Sequence, residues 1–338
     1  MGNKRVGWSC AGLLLAACIS ASTARAEVGE VRISKGYGIL YLPLIVMEDR
    51  KLLEKKAAEA GLGDLKVTWY LFDGGNIIND AMLAGTLDIA GTGAPGFLTL
   101  WSKGKGSPRT EVIGVSGMST TALVLNTTNP DVKSLKDFSS KDRIAMPGIK
   151  TSLAAVVLQM AAAKEFGPEN YAKLDPLTVG IPHPEAYAAL TSGKTEIDAH
   201  FASPPYANLE LKNPRVHTVI NSVTLFGNIT LDVVFAPKRF VEANPKTIGA
   251  FLAALDEACA FIADDPKATA EIFARSLKTK MSLEEVLPLV QDPDTRFSAT
   301  PDGVMTFANF LASIGSIKQK PASWTGLFVP QLHGRKGS

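Results

Sequence analysis

Leu83-Ala84-Gly85-Thr86-Leu87-Asp88-Ile89-Ala90-Gly91-Thr92-Gly93-Ala94-Pro95 reads as a helix end, a stop, a short apolar strand, a tight loop and a new helix start. Gly85 is the natural helix stop, and Pro95 suits a first helical turn because its missing N–H would have no partner there. Upstream, Val67 to Phe72 is rich in branched and aromatic residues and predicts a strand. It runs through Asp73-Gly74-Gly75-Asn76 into a helix from Ile77 to Ala84. Further back come a strand at Val31 to Ser34, a turn at Gly36-Tyr37-Gly38, and a helix from Tyr41 to about Ala60 that stops at Gly61. Downstream, Val112 to Val115 is the next strand. Strand and helix in alternation imply an α/β domain, with a parallel sheet covered on both faces.

The same unit recurs. Ala188 to Gly193 and then Ile197-Asp198-Ala199 repeat the helix, glycine and strand, again before a loop with proline, Pro204-Pro205. Around it lie predicted strands at Ala122 to Asn126, Arg143 to Met146, Leu177 to Val179, Ile197 to Phe201 and Val233 to Phe235. Helices are expected from Ser134, after Ser152 and from Pro184 to Ser192. After Phe235 the chain is mainly helical to about Ile317, too long a tail for the second set alone. The expected organisation is therefore one lobe begun at 27–118, a second lobe at 119–230, and a return over 231–338 that completes the first.

The first 26 residues stand apart. Lys4 and Arg5 precede an uncharged stretch centred on Leu13-Leu14-Leu15, and Ala24-Arg25-Ala26 offers small residues where a signal peptidase reads. The apolar stretch is shorter than the ~20 residues of a spanning helix. A cleaved secretory leader over 1–26 is expected, and hence a periplasmic protein. Leu15-Ala16-Ala17-Cys18 also resembles a lipobox, so lipid anchoring at Cys18 stays open. Beyond Ala26 a single cysteine remains, Cys259, which allows no internal disulfide and reads as packing in an apolar helix. With 35 basic against 33 acidic residues, charge gives no reason to expect nucleic acid as a partner.

In open α/β sheets ligands bind beyond the carboxyl ends of the strands. The loops at those ends are Gly36-Tyr37-Gly38, Asp73-Gly74-Gly75-Asn76, Thr92-Gly93-Ala94-Pro95, Pro147 to Ser152, and Ala202-Ser203-Pro204-Pro205. Several run directly into helix N-termini, whose free N–H groups and partial positive charge suit an anion. Taken singly, each could be a tight turn, with Thr92 or Thr151 capping its own helix. Lys35 and Lys150 are the basic candidates there, and Tyr37, Tyr41, Phe72, Phe201 and Tyr206 the aromatic ones. His183, in Ile181-Pro182-His183-Pro184, could donate to a ligand. Gly91-Thr92-Gly93-Ala94-Pro95-Gly96 matches the dinucleotide fingerprint literally, but Glu111 opens a strand where the ribose-binding acid should close one. There is no Cys-x-x-Cys, His-Glu-x-x-His, Walker loop or Gly-x-Ser-x-Gly, and the four histidines lack metal-ligand spacing. No catalytic residue, metal or cofactor is expected.

The order and spacing of three segments resemble the nitrate/sulfonate/taurine-type solute-binding proteins of ABC importers (NitT/TauT, SsuA/ThiY-like). They are Leu83 to Ala90 with Thr92 to Pro95, Val132 to Asp137 with Arg143-Ile144-Ala145, and Ala189 to Ala199 with Pro204 beyond. Phe235-Ala236-Pro237, Phe240 and Asn244-Pro245 resemble the family's return crossing. The resemblance implies a periplasmic-binding-protein-like type II fold, two α/β lobes joined by crossing strands near Val115–Thr121 and Thr224–Val234. It implies a small-molecule ligand held between the lobes, by Gly36, Tyr37, Asp73, Gly74, Asn76, Thr92, Gly93, Thr151, Ser152 and Ser203, to which the reading of the loops and crossings adds Tyr41, Ser119, Lys150, His183 and Phe201 as candidates. It implies a closed form that docks on a membrane permease, and the chain is expected to be a monomer. The expected ligand is a small organic anion such as a sulfonate or carboxylate. A neutral pyrimidine or thiamine precursor, a ligand-modifying enzyme on the same fold, and a sensor module are the alternatives. Relatives often carry Trp-Asp-Pro where this chain has Ala202-Ser203-Pro204, so an acidic ligand contact is not expected from that loop.

Overall fold

The computed structural model describes residues 1–2, 27–72, 75–193 and 196–338. Residues 3–26 of the expected leader, with Cys10 and Cys18, lie outside the described residues, as do Asp73 and Gly74.

Among the described residues, eleven strands form two sheets. They are β1 (Glu30–Lys35), β2 (Lys66–Leu71), β3 (Ile89–Gly93), β4 (Val112–Thr120), β5 (Val124–Thr127), β6 (Ile144–Met146), β7 (Thr178–Gly180), β8 (Ala199–Ala202), β9 (His217–Asn221), β10 (Asp232–Pro237) and β11 (Arg296–Phe297). One sheet has the order β11-β4-β10-β3-β1-β2, the other β7-β6-β8-β5-β9. The chain thus leaves the first sheet after β4 and re-enters it at β10.

The sheets are mixed, which corrects the expectation of a parallel sheet. β1 pairs parallel with β2 and β3, and β6 with β7 and β8. β10, however, runs antiparallel to both β3 and β4, and β5 antiparallel to β8 and β9. The reason is topological: a strand that carries the chain back must run against the strand that carried it out. The two passages hold each other, for Leu231 donates its N–H to the Ser119 carbonyl at 2.9 Å and Thr120 donates its hydroxyl to the Ile229 carbonyl at 2.9 Å.

Strand identity follows composition where the strand is buried. Val233, Val234, Phe235 and Ala236 of β10 are all fully buried, as befits a central strand. β9 and β11 have no counterpart in the expected strands. β9 is half-exposed His217-Thr218-Val219-Ile220-Asn221 at a sheet edge, and β11 is two residues long.

The helix expected from Tyr41 to Ala60 is broken. A 3-10 turn at Ile39–Tyr41 precedes helices Leu42–Arg50 and Leu52–Glu59, and Lys51 between them is left-handed at φ 52°. Leu52 and Leu53 are buried after the break, and this second helix packs on Pro245–Asp264 from the C-terminal half. The C-terminal chain also covers the first sheet from the other side. Phe97, in helix Ala94–Gly104, sits with its ring 5.7 Å from those of Phe235 and Phe328. Each fully buried phenylalanine contributes about 1.5–3 kcal/mol of hydrophobic stabilisation. That cluster anchors the helix whose first turn reaches the site.

Candidate functional site

A cavity of about 60 Å³ lies where the two sheets' loops meet. That is several times the space one water needs, and suits a compact solute. From the first sheet it is lined by Tyr37, Leu40, Tyr41, Thr92, Gly93, Gly96 and Asp232. From the second come Leu123, Pro147, Thr151, Ser152, Leu153, Ala154, His183 and Ser203.

The halves touch directly around it. Ile39 donates its N–H to the Pro204 carbonyl at 3.0 Å. Gly38 permits this with φ 89°, and a Cβ there would stand 3.0 Å from the Pro204 oxygen. Gly93, at the start of helix Ala94–Gly104, faces the start of helix Leu153–Phe166, and a Cβ on Gly93 would stand 2.7 Å from Leu153 Cβ. Two helix N-termini therefore converge on one small space.

Their donors are unequally engaged. Ala94 gives its N–H to the Leu231 carbonyl at 2.8 Å and Pro95 has none, so Gly96 is the remaining first-turn donor of that helix. In the other helix Ser152 is the N-cap, and its hydroxyl accepts the Ala155 N–H at 3.2 Å. Leu153 and Ala154, which line the cavity, precede the first intrahelical bond. Among the described residues that line the cavity there is no lysine or arginine.

Two titratable side chains with shifted pKa values line it. Asp232 opens β10 and is 2% exposed. Burial pushes its carboxyl up to about 7, against the pull of a hydrogen bond with Tyr41. Its Oδ2 has no hydrogen-bond partner among the described residues. His183 opens helix His183–Ser192 and belongs to a buried chain of groups. His183 Nδ1 is 2.8 Å from His200 Nε2, and His200 Nδ1 is 2.5 Å from Glu210 Oε1. Asn126 donates to Glu210 Oε2 at 2.9 Å and accepts from the Thr218 hydroxyl at 2.7 Å. Burial, with His200 beside it, holds His183 well below its ordinary pKa of 6.5, so it is neutral. The His183 ring stacks on Tyr206 with centroids 5.7 Å apart.

Of the expected site residues, Tyr37, Tyr41, Thr92, Gly93, Thr151, Ser152, His183 and Ser203 come together in this cavity. Gly36, Ser119, Lys150 and Phe201 do not line it, and Asp73 and Gly74 lie outside the described residues. Gly36 lines an adjoining depression, and its missing side chain leaves room for the Tyr41 ring, 2.5 Å from where a Cβ would be. Ser119 lines a separate cleft with Thr120, Asn228 and Arg296. Lys150 is exposed in a left-handed turn at φ 66° and is not among the lining residues. Phe201 is fully buried in β8, opposite Leu125, as core. Asn76 lies in the first turn of helix Gly75–Leu83. Sequence reasoning missed Asp232, Leu153 and Ala154. An acid at the head of the otherwise apolar run Asp232-Val233-Val234-Phe235 was the available signal for the first.

A family profile described as the NMT1-like family matches residues 24–277. No curated protein sequence matches the chain. Among solved structures it is similar to the alkanesulfonate-binding protein SsuA from Xanthomonas axonopodis pv. citri, bound to MOPS. Identity is 18% and the TM-score 0.69, over 89% of this chain and 98% of that one. It is similar to the periplasmic nitrate-binding protein NrtA from Synechocystis PCC 6803, with 14% identity and a TM-score of 0.69, over 89% of this chain and 84% of that one. A third is a Candida albicans protein described as having the generic periplasmic binding protein fold, with 14% identity, a TM-score of 0.64, and coverage of 86% and 92%. The fold is that of the periplasmic binding proteins.

Proposed function

The chain belongs to the NMT1-like family, and from that premise we propose that it is the extracytoplasmic solute-binding component of an ABC importer, which captures a small organic anion between two lobes. In this reading residues 27–118 and 231–338 make one lobe and 119–230 the other. One observation carries it: Thr92 of the first sheet and Ser203 of the second line the same cavity. A solute there touches both halves at once, so it favours the closed arrangement over any in which they part. The passages after β4 and before β10 are the natural hinge, because they are the covalent links between the sheets.

The anion preference rests on the converging helix N-termini, which offer N–H donors and a positive potential without a basic side chain. Structural neighbours named for alkanesulfonate and nitrate support the same choice. The leader expected over residues 1–26 supports a periplasmic location, and a monomer delivering solute to a membrane permease completes the reading. No helix among the described residues is long and apolar enough to cross a membrane. Binding without turnover is the activity.

The test is a thermal-shift screen of the purified chain with alkanesulfonates, nitrate, carboxylates, aromatic acids and pyrimidines. A ligand bound by the native state alone raises the melting temperature. Stabilisation by anions is the expected result. Stabilisation by neutral pyrimidines alone, or chemical conversion of a bound compound, would overturn it.

A further inference from the structure

We propose that Asp232 meets the ligand as a neutral carboxylic acid, donating its O–H to the ligand's anionic oxygen, so that capture takes up a proton. The inference rests on the anion reading above and deepens it. Three observations carry it. Asp232 is 2% exposed, it lines the cavity, and its Oδ2 has no partner among the described residues. A buried oxygen left unpaired is costly unless something arrives to pair it. Asp232 and the helix starts at Gly96, Leu153 and Ala154 line the same cavity, so an anion seated there shares that space with the carboxyl.

Two negative charges at such range repel strongly in a water-poor site, and among the described residues no lysine or arginine lines the cavity to offset them. One proton removes the conflict. The carboxyl then becomes a donor, and an O–H to an anionic oxygen is among the stronger hydrogen bonds. The alternative, an ionised Asp232 accepting from a donor on the ligand, gives the opposite pH dependence.

The groups that face Asp232 allow this assignment. β3 and β4, which flank it, bring Gly93 and Ser119, neither of which titrates. The turn after β1 brings Tyr41, whose side chain bonds the carboxyl, and Tyr37. Lys278 lies over the Tyr37 ring at 4.6 Å, outside the lining. Across the cavity His183 is neutral, and Glu210 is reached only through His200. Burial already holds the Asp232 proton to about pH 7 before any ligand arrives.

The experiment is calorimetry on the full chain from pH 5.5 to 8.5 with ethanesulfonate, nitrate and acetate as probes, in buffers of differing ionisation heat. Affinity should fall about tenfold from pH 6 to pH 8, as the free carboxyl ionises. About half a proton should be taken up per ligand at pH 7. Asp232→Asn, which keeps a donor, should lose both the pH dependence and the uptake. Circular dichroism establishes that the variant is folded, and the wild-type measurements stand without it. Affinity that rises with pH, or binding without proton uptake, overturns this inference and leaves the anion reading in place. If none of the three probes binds at millimolar concentration at any pH, the anion reading falls and this inference falls with it.

Discussion

Replacing Asp232 by asparagine should stabilise the ligand-free protein, with a gain that grows as pH rises. The carboxyl ionises at about 7 in the folded chain, against 3.8 as its ordinary value. Between those two values the unfolded chain has released the proton and the folded chain has kept it. Folding stability therefore falls as pH rises through that window, and above about 7 the loss is complete. At about 1.36 kcal/mol per pKa unit, the shift of roughly three units is worth about 4 kcal/mol. Asparagine has nearly the same shape, can still accept from Tyr41, and carries no charge to bury. At pH 8 the variant should gain most of those 4 kcal/mol. With an unfolding entropy of about 2.1 cal/mol/K per residue, that is a rise of about 6 °C in melting temperature. Near pH 4 the two proteins should melt together. The assay is differential scanning calorimetry of both proteins from pH 4 to 8.5, without ligand. Comparing the pair at each pH cancels every other titration they share. A difference that stays flat across the range would refute the reasoning, because it would mean that Asp232 ionises as an ordinary hydrated carboxylate.

Gly93→Val should weaken binding of any cavity ligand at least tenfold in calorimetry while leaving the circular dichroism spectrum unchanged, because its Cβ would stand 2.7 Å from Leu153 Cβ and hold the two helix starts apart. Gly148→Ala, whose nearest neighbour is Ser152 Cβ at 3.4 Å, should bind within about twofold of wild type. Glu210→Leu should lower the unfolding free energy in urea by about 3 kcal/mol, because it strands the His200 and Asn126 donors in the interior. Adding His200→Phe to Glu210→Leu should recover part of that loss, and strict additivity of the two would show that the groups are not coupled.

The fold was legible wherever a short apolar run was bracketed by glycine or proline. Ile89 to Gly93 and Asp232 to Pro237 lie in the sheet interior and have no polar alternation, which is how central strands read. What such runs cannot reveal is direction. Nothing in Val233-Val234-Phe235 says that β10 runs antiparallel to β3; the crossover between sheets dictates it. Lys51 was invisible for another reason. Its left-handed turn comes from burying Leu52 and Leu53 under a helix from the far half of the chain. β9 carries polar residues at an exposed edge, where strand propensity is weak.

The site was legible as loops and illegible as charges. Glycine and hydroxyl residues mark Gly93, Thr151, Ser152 and Ser203 because close approach and capping demand those residue types. The donors at Leu153 and Ala154 are backbone N–H groups, which any residue but proline supplies, so no side chain announces them. Lys150 shows the converse error. It is the one basic residue in its loop, yet its left-handed backbone turns that position to solvent. The anion site proposed above is built from helix starts and needs no lysine. Asp232 was hidden by the same bias. An acid is not sought where an anion is expected, and only its burial, which holds the proton on, makes the two compatible.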